Sequence, residues 1–185
     1  MLDIHKIKIG SNIELNNQPY QVLRAIFSKI GRQGAVLRTR LKNLKTGNLK
    51  EETFRDSDKI LEAELDKKKA QYLYNENDLF YFMNQEDFDQ FSLDKNALGH
   101  LHNFLKPNCQ VEIIYFNQEP INIELPIKLE FEVTEAPPSI KGNTADGGTK
   151  KVKIQTGWEL NAPLFINKGD IIKINTQDGS YVERV

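Results

Sequence analysis

The sequence predicts an all-β protein made of three small β-barrel domains. Short segments rich in β-branched and aromatic residues recur along its 185 residues. Most of them are bounded by Asn, Asp or Gly clusters that favour turns. A chain of this length can bury a sizeable core as one domain or as several small ones.

The first third has the turn spacing of a small barrel. Turn signals at Asn16-Asn17, Gly31 to Gly34 and Thr46 to Asn48 separate short strands, and Leu49 to Phe54 is a further strand. Between Leu61 and Lys69 the charge changes from acidic to basic, which places the first domain boundary there.

A cationic β-hairpin is predicted from Arg24 to Lys45. Two strand-like runs flank a glycine-containing turn with Arg32 at its tip. On the returning strand, Leu37, Thr39 and Leu41 alternate with a second set of residues, Arg38, Arg40 and Lys42. From Leu15 to Lys50 the chain has eight basic residues and no acidic one. A basic hairpin tip is often an ordinary surface turn, but this charge bias favours a functional role.

The middle third predicts a five-stranded oligonucleotide-binding (OB) barrel. An aromatic hairpin joins Gln71–Tyr74 to Leu79–Met83, and a second pair joins Val111–Phe116 to Ile121–Leu125. Between the two pairs, Asp94 is expected to cap a short helix that runs to about Leu105. One helix inserted among strands is typical of the OB fold.

The last third predicts another all-β barrel. Apolar and polar residues alternate from Ile127 to Thr134, as in a half-buried strand. After a long loop, Glu135 to Lys150, further strands are expected at Lys151–Thr156, Leu164–Ile166, Ile171–Thr176 and Tyr181–Val182.

The charge distribution indicates a polyanionic partner for the first third. The net charge of −1 conceals 12 basic and 7 acidic residues in residues 1–63, 5 and 11 in residues 64–126, and 8 and 8 in residues 127–185. A basic module beside an acidic one suits a protein that places one end on nucleic acid.

The compartment is predicted from two features. Cys109 is the single cysteine, so no intramolecular disulfide can form, which fits a reducing environment. The N-terminus lacks the apolar core of a signal peptide, and no stretch approaches the length of a membrane span. We expect a cytoplasmic protein that does not associate with membranes.

Few features of the sequence indicate an enzyme. No nucleophile motif accompanies the histidines, and His100, His102 and Cys109 would be an incomplete metal site, because two histidines at this spacing on a helix face different ways. We therefore expect no catalytic residue, metal or cofactor, and read Glu86, Asp87 and Asp89 as a solvated acidic face.

The loop from Ser139 to Lys150 leaves two interpretations open. Its glycines have the spacing of a phosphate-binding loop, but no hydroxyl residue follows Lys150 and a strand comes next. It could present Lys141, Asn143 and Thr144 to phosphates or base edges, or it could be a plain connection.

Several fragments together resemble bacterial elongation factor P. They are Ser28–Val36 with Arg38–Gly47, Tyr72–Tyr74 with Phe82-Met83, Lys141–Thr144, Gly147–Lys150, Thr156-Gly157, Pro163–Asn167 and Gly179–Val185. The resemblance runs nearly the whole chain. Trp158, the single tryptophan, departs from the family pattern.

The resemblance implies an SH3-like (KOW-type) domain at residues 1–64 and OB-fold domains at 65–127 and 128–185, in an L-shaped arrangement. It also implies a monomer that binds the 70S ribosome between the exit and peptidyl-tRNA sites and relieves stalling at consecutive prolines. Its partners would be peptidyl-tRNA, rRNA and mRNA.

Site residues follow from the same resemblance. Arg32 matches the tip residue that is rhamnosylated in one subgroup, which would make a protein-arginine rhamnosyltransferase a partner. The tRNA and rRNA contacts would be Lys29, Gly31, Arg32, Gln33, Gly34, Arg38, Arg40 and Lys42. Contacts to the exit-site codon or the small subunit would be Lys141, Gly142, Asn143 and Thr144. Asn143 replaces the family's usual aspartate, and an amide adds two donors.

Two other functions are weighed against this one. The first is a non-translational RNA-binding factor that uses the same barrels. The second is an enzyme with His100, His102 and Cys109 as metal ligands, which would require stoichiometric metal in the purified protein.

Overall fold

The structure is a computed structural model that describes residues 2–29, 35–138 and 148–185. The described strands form three five-stranded sheets with antiparallel strand pairs. The all-β prediction with three β domains is therefore confirmed.

The first sheet has the strand order β4-β3-β2-β1-β5. It follows a short 3-10 helix, Ile4–Lys6. Its core is apolar and draws on all five strands or their flanks, with Ile13, Leu37, Leu41 and Ile60 almost fully buried. The strands are β1 (Asn12–Leu15), β2 (Gln18–Lys29), β3 (Ala35–Asn43), β4 (Leu49–Arg55) and β5 (Leu61–Glu62).

The second and third sheets share one topology. If the strands of each are numbered one to five along the chain, both have the order 3-2-1-4-5, and the two edge strands of each sheet approach one another. This order confirms the two predicted OB folds. The strands are β6 (Leu65–Glu76), β7 (Leu79–Asn84), β8 (Gln90–Asp94), β9 (Gln110–Phe116) and β10 (Glu119–Glu124), then β11 (Lys128–Glu135), β12 (Thr149–Ile154), β13 (Glu159–Pro163), β14 (Ile171–Asn175) and β15 (Tyr181–Arg184).

The chain divides into two compact units, and the first contains residues 1–99 and 112–124. Within it, a small apolar cluster around Ala63, Phe116 and Ile121 joins the first sheet to the second. The amide of Asn122 donates hydrogen bonds to the carbonyl oxygens of Leu44 (3.1 Å) and Ala97 (3.0 Å), which reinforces the same junction.

The second unit contains residues 100–111 and 125–185. Its 3-10 helix buries Phe104 completely, with the ring 6.1 Å from that of Phe131 and 5.9 Å from that of Trp158. The Nε2 of His100 lies 3.0 Å from the carbonyl oxygen of Thr176, to which its N–H can donate. Aromatic packing and this polar contact together attach the helical segment to the third barrel.

Two predicted elements are wrong in detail. The expected helix from Asp94 to Leu105 is a single α turn, α1 (Lys95–Leu98), followed by a 3-10 helix, Gly99–Phe104. Gly99 has a φ of 54°, which ends the α-helix, and the Asp94 side chain makes no capping hydrogen bond. The strand expected at Leu164–Ile166 is a turn in which the Ile166 N–H donates to the Pro163 carbonyl, and β13 precedes it instead.

No helix in the described ranges is long and apolar enough to cross a membrane.

A close contact in the third barrel requires glycine at position 179. Gly179 has a φ of 74°, and a Cβ built there would lie 3.3 Å from Nε1 of Trp158 and 3.5 Å from Phe104. Gly169 in the same barrel has a φ of 90° but no atom within 4 Å of a built Cβ. The two glycines therefore differ in steric surroundings while sharing a left-handed backbone.

We predict that Gly179→Ala lowers the free energy of unfolding more than Gly169→Ala does. Both variants strain the backbone at a cost of about 1 kcal/mol or more, and Gly179→Ala also displaces the indole, adding about 1 kcal/mol. Urea unfolding followed by Trp158 fluorescence measures both. Equal losses in the two variants would show that the contact with Trp158 is unimportant.

Candidate nucleic-acid interface

The β2–β3 hairpin pairs from Tyr20 opposite Asn43 to Lys29 opposite Ala35, with one β-bulge between Val22 and Arg24. Along β3 the residues that face the barrel core are buried, among them Leu37, Thr39 and Leu41. The intervening Arg38 and Arg40 are exposed and Lys42 is half-buried. The predicted alternation of the returning strand is therefore confirmed.

Four cations share the outer face of this hairpin, and we call them the cation row: Arg24, Arg38, Arg40 and Lys42. Arg24 lies directly opposite Arg40, and directly opposed residues of an antiparallel pair point to the same face. Arg24 was not among the site residues predicted from the sequence. A β-bulge between Val22 and Arg24 shifts the alternation of β2, so the face of Arg24 cannot be counted from the sequence alone.

The cation row takes part in no ion pair within the described residues. Among the described residues, no carboxylate lies within 4.0 Å of any of its four members. Glu51 is opposite Arg40 on β4 without forming an ion pair, and Glu52 pairs with Lys50 at 2.6 Å. Like charges placed directly opposite are destabilising, so this face favours an external anion such as phosphate.

The start of β3 is anchored from a neighbouring loop. The backbone N–H of Ala35 donates to the carboxylate of Asp56 at 3.3 Å, and Nε2 of His5 lies 3.6 Å from the same carboxylate. The ring of His5 also packs on Phe27 with 4.7 Å between centroids. These contacts fix the hairpin where it approaches its tip, and no sequence pattern would have identified them.

Several predicted site residues lie outside the described part of the chain. They are Gly31, Arg32, Gln33 and Gly34 at the tip, and Lys141, Gly142, Asn143 and Thr144 in the long loop. The backbone of Lys29 is described, with its place opposite Ala35. The assignments of these residues stay predictions from the sequence.

The alternative metal site does not assemble in the described residues. No group of three His, Cys, Asp or Glu side chains there could hold a metal ion. Cys109 is partly buried, and this burial raises the pKa of its thiol. The thiolate that a metal would need is therefore disfavoured.

Comparisons with known proteins identify the relatives of the chain. Residues 3–60 match the profile described as the elongation factor P KOW-like domain, residues 65–123 the elongation factor P OB domain, and residues 129–184 elongation factor P, C-terminal. The elongation factor P of Acetivibrio thermocellus is 42% identical over 185 residues, and that of Moorella thermoacetica 41% over 184, each covering 100% of both chains.

A solved structure supports the fold alone. The eukaryotic translation initiation factor 5A from Methanococcus jannaschii superimposes with a TM-score of 0.50 and 22% identity, covering 62% of this chain and 86% of that one.

We predict that Arg24→Gln stabilises the hairpin, because it removes one member of the Arg24–Arg40 pair and leaves Arg40 opposite Glu51. Native-state hydrogen exchange of β2 and β3 amides should show an opening free energy higher by about 0.2–1 kcal/mol. Lys50→Gln is the matched control, since it breaks the pair with Glu52 and should lower the same quantity slightly.

Both effects should shrink at high salt, which screens exposed charges. A loss of protection in Arg24→Gln would contradict the assignment of Arg24 and Arg40 as a repulsive cross-strand pair.

Proposed function

Because the chain belongs to the elongation factor P family of translation factors, we propose that it binds the ribosome between the exit and peptidyl-tRNA sites and stimulates peptide-bond formation at consecutive prolines. The observation that supports this best is the cation row, whose members form no ion pair in the described residues and lie on a β-hairpin held at the start of β3 by Asp56. Peptidyl-tRNA and rRNA offer the phosphates that such a face would bind.

In this proposal the cation row holds the tRNA rather than reacting with it. Arg38, Arg40 and Lys42 contact backbone phosphates, which position an RNA without reading its sequence. Lys29, Gly31, Gln33 and Gly34 place the tip beside the acceptor end. Holding that end still lowers the entropic part of the barrier to a slow amide-forming step. The protein supplies no general base and no catalytic residue.

The other two barrels have separate roles in the proposal. The middle barrel carries the acidic third of the chain, so it lies away from RNA phosphates. In the third barrel, the loop residues Lys141, Gly142, Asn143 and Thr144 approach the exit-site codon or the small subunit. The protein acts as a cytoplasmic monomer.

Arg32 is proposed as a modified residue. A sugar added to its guanidino group by a protein-arginine rhamnosyltransferase would lengthen the tip and add hydroxyl groups that can hydrogen-bond the tRNA. The substrate of the modifying enzyme would be the folded first domain, whose β2 and β3 hold the tip.

We predict that Arg32→Ala and Arg32→Lys both abolish most of the rescue of a polyproline reporter in the native host. Arg32→Lys keeps the positive charge but removes the acceptor guanidino group, so it separates modification from charge. A reporter without consecutive prolines is the control and should be unaffected. The intact mass of the native protein should exceed that of the bare sequence by one deoxyhexose.

Two outcomes would contradict different parts of this proposal. Full rescue by Arg32→Lys together with an unmodified mass would exclude the modification. Unchanged pausing at proline runs in a deletion strain would instead favour a non-translational RNA-binding factor.

A further inference from the structure

The third barrel contains an open cleft of about 420 Å³. One wall is formed by β13, including Glu159 and Asn161, and by Trp158 just before it. The other is formed by Gly179, Ser180 and Tyr181 at the start of β15. The cleft therefore lies where the two edge strands of this sheet approach one another.

The position of the cleft is that of a ligand site in an OB fold. β12 and β13 are the second and third strands of this barrel, and Gly179 and Ser180 belong to the connection between its fourth and fifth strands. The outer face of the second and third strands, with the loops beside it, is where OB folds bind oligonucleotides.

Trp158 is held firmly at the cleft wall. Phe104 packs against its ring at an interplanar angle of 69°, and Gly179 lies against Nε1 and Cζ2. The indole N–H is buried and has no hydrogen-bond acceptor among the described residues. A buried donor without an acceptor destabilises the folded protein, so Trp158 is not explained by stability alone. The part of its ring that faces the cleft could stack on a ligand.

The polar groups around the cleft suit a nucleotide. Lys151 is exposed directly opposite Asn161, and no carboxylate in the described ranges lies within 4.0 Å of it, whereas Lys153 is engaged by Glu135 at 3.3 Å. The ammonium group of Lys151 is therefore available to contact a phosphate group of a ligand. Asn161 can pair with a base edge, and the carboxylate of Glu159 can accept hydrogen bonds from an exocyclic amino group.

We propose that this cleft binds one unstacked base of single-stranded RNA against Trp158 and Tyr181, with cytosine or adenine favoured over uracil. The preference follows from Glu159, since uracil has no amino group to donate to it. The inference rests on the proposed function and deepens it, because it names the RNA feature that the third barrel recognises.

The middle barrel provides a contrast within the same chain. On its corresponding sheet, Tyr74 and Tyr81 stack on one another at 4.7 Å. Tyr74 is half exposed, but it lies in the third of the chain with 11 acidic and 5 basic residues, which disfavours phosphates. Tyr74 therefore supplies a matched control for an exposed tyrosine on an OB fold.

The test uses Trp158 as its own reporter, because the chain has no other tryptophan. The purified full chain is titrated with short RNA oligomers of cytidine, adenosine or uridine, and tryptophan fluorescence is followed. We expect saturable quenching by the cytidine and adenosine oligomers and several-fold weaker binding of uridine. Tyr181→Leu should weaken binding roughly five-fold or more, as expected for the loss of one base-stacking contact.

Three further variants make the test specific. Glu159→Gln should reduce the difference between cytidine and uridine, and Asn161→Ala, at an exposed position, should weaken binding without affecting folding. Tyr74→Leu should bind as wild type does. Circular dichroism verifies the fold of each variant.

Absence of saturable quenching, or equal affinity in wild type, Tyr181→Leu and Asn161→Ala, would overturn the proposal. This result is independent of the polyproline reporter. If RNA does not quench Trp158 but the reporter depends on Arg32, only the proposed RNA site in the cleft is contradicted. If RNA quenches Trp158 but the reporter does not depend on Arg32, only the proposed role of the tip is contradicted.

Discussion

The antiparallel pairing of β2 with β3 makes buried residues of β3 alternate with cations. Leu37, Thr39 and Leu41 fill the core of the first barrel, so Arg38 and Arg40 must face outward. A slip of one residue in the register would bury two guanidinium groups, at a cost of several kcal/mol each. The packing of the barrel therefore fixes which face of the hairpin is charged.

The pairing of β2 with β3 also places like charges opposite one another, which lowers the stability of the hairpin while creating a surface that can bind anions. Arg24 and Arg40 are opposed across the strands, and neither forms an ion pair with a described carboxylate, although Glu51 is opposite Arg40 on β4; the repulsion between the two cations weakens the isolated fold. An RNA backbone would reverse the sign of that contribution by placing phosphates between the cations. A face that is unfavourable alone and favourable when bound is the arrangement expected of a binding surface.

The strands could be predicted from the sequence where the hydrophobic periodicity matches the pattern of burial. The alternation of β3, the aromatic hairpin of the second sheet and the half-buried β11 all follow from a period of two. The prediction failed where a local backbone feature interrupts the periodicity. The bulge before Arg24 changes the face on which this residue lies, and Gly99, with a positive φ, ends α1.

Long-range contacts explain the remaining differences. β5 and β8 have no strong pattern of their own and form because a neighbouring strand offers an open edge. The place of Trp158 is likewise set by Phe104 and Gly179, which are distant in sequence. Spacing along the chain contains no information on such contacts, so the cleft of the third barrel could be found in the structure alone.

The most direct test of the account is the salt dependence of binding to ribosomes that carry peptidyl-tRNA. Wild type is compared with a variant in which Arg24, Arg38 and Arg40 are all replaced by glutamine. Each lost phosphate contact should reduce the slope of log affinity against log salt by roughly 0.7–0.9. A clearly shallower slope in the variant is the predicted result. Equal slopes for the two proteins would show that the cation row does not contact phosphates.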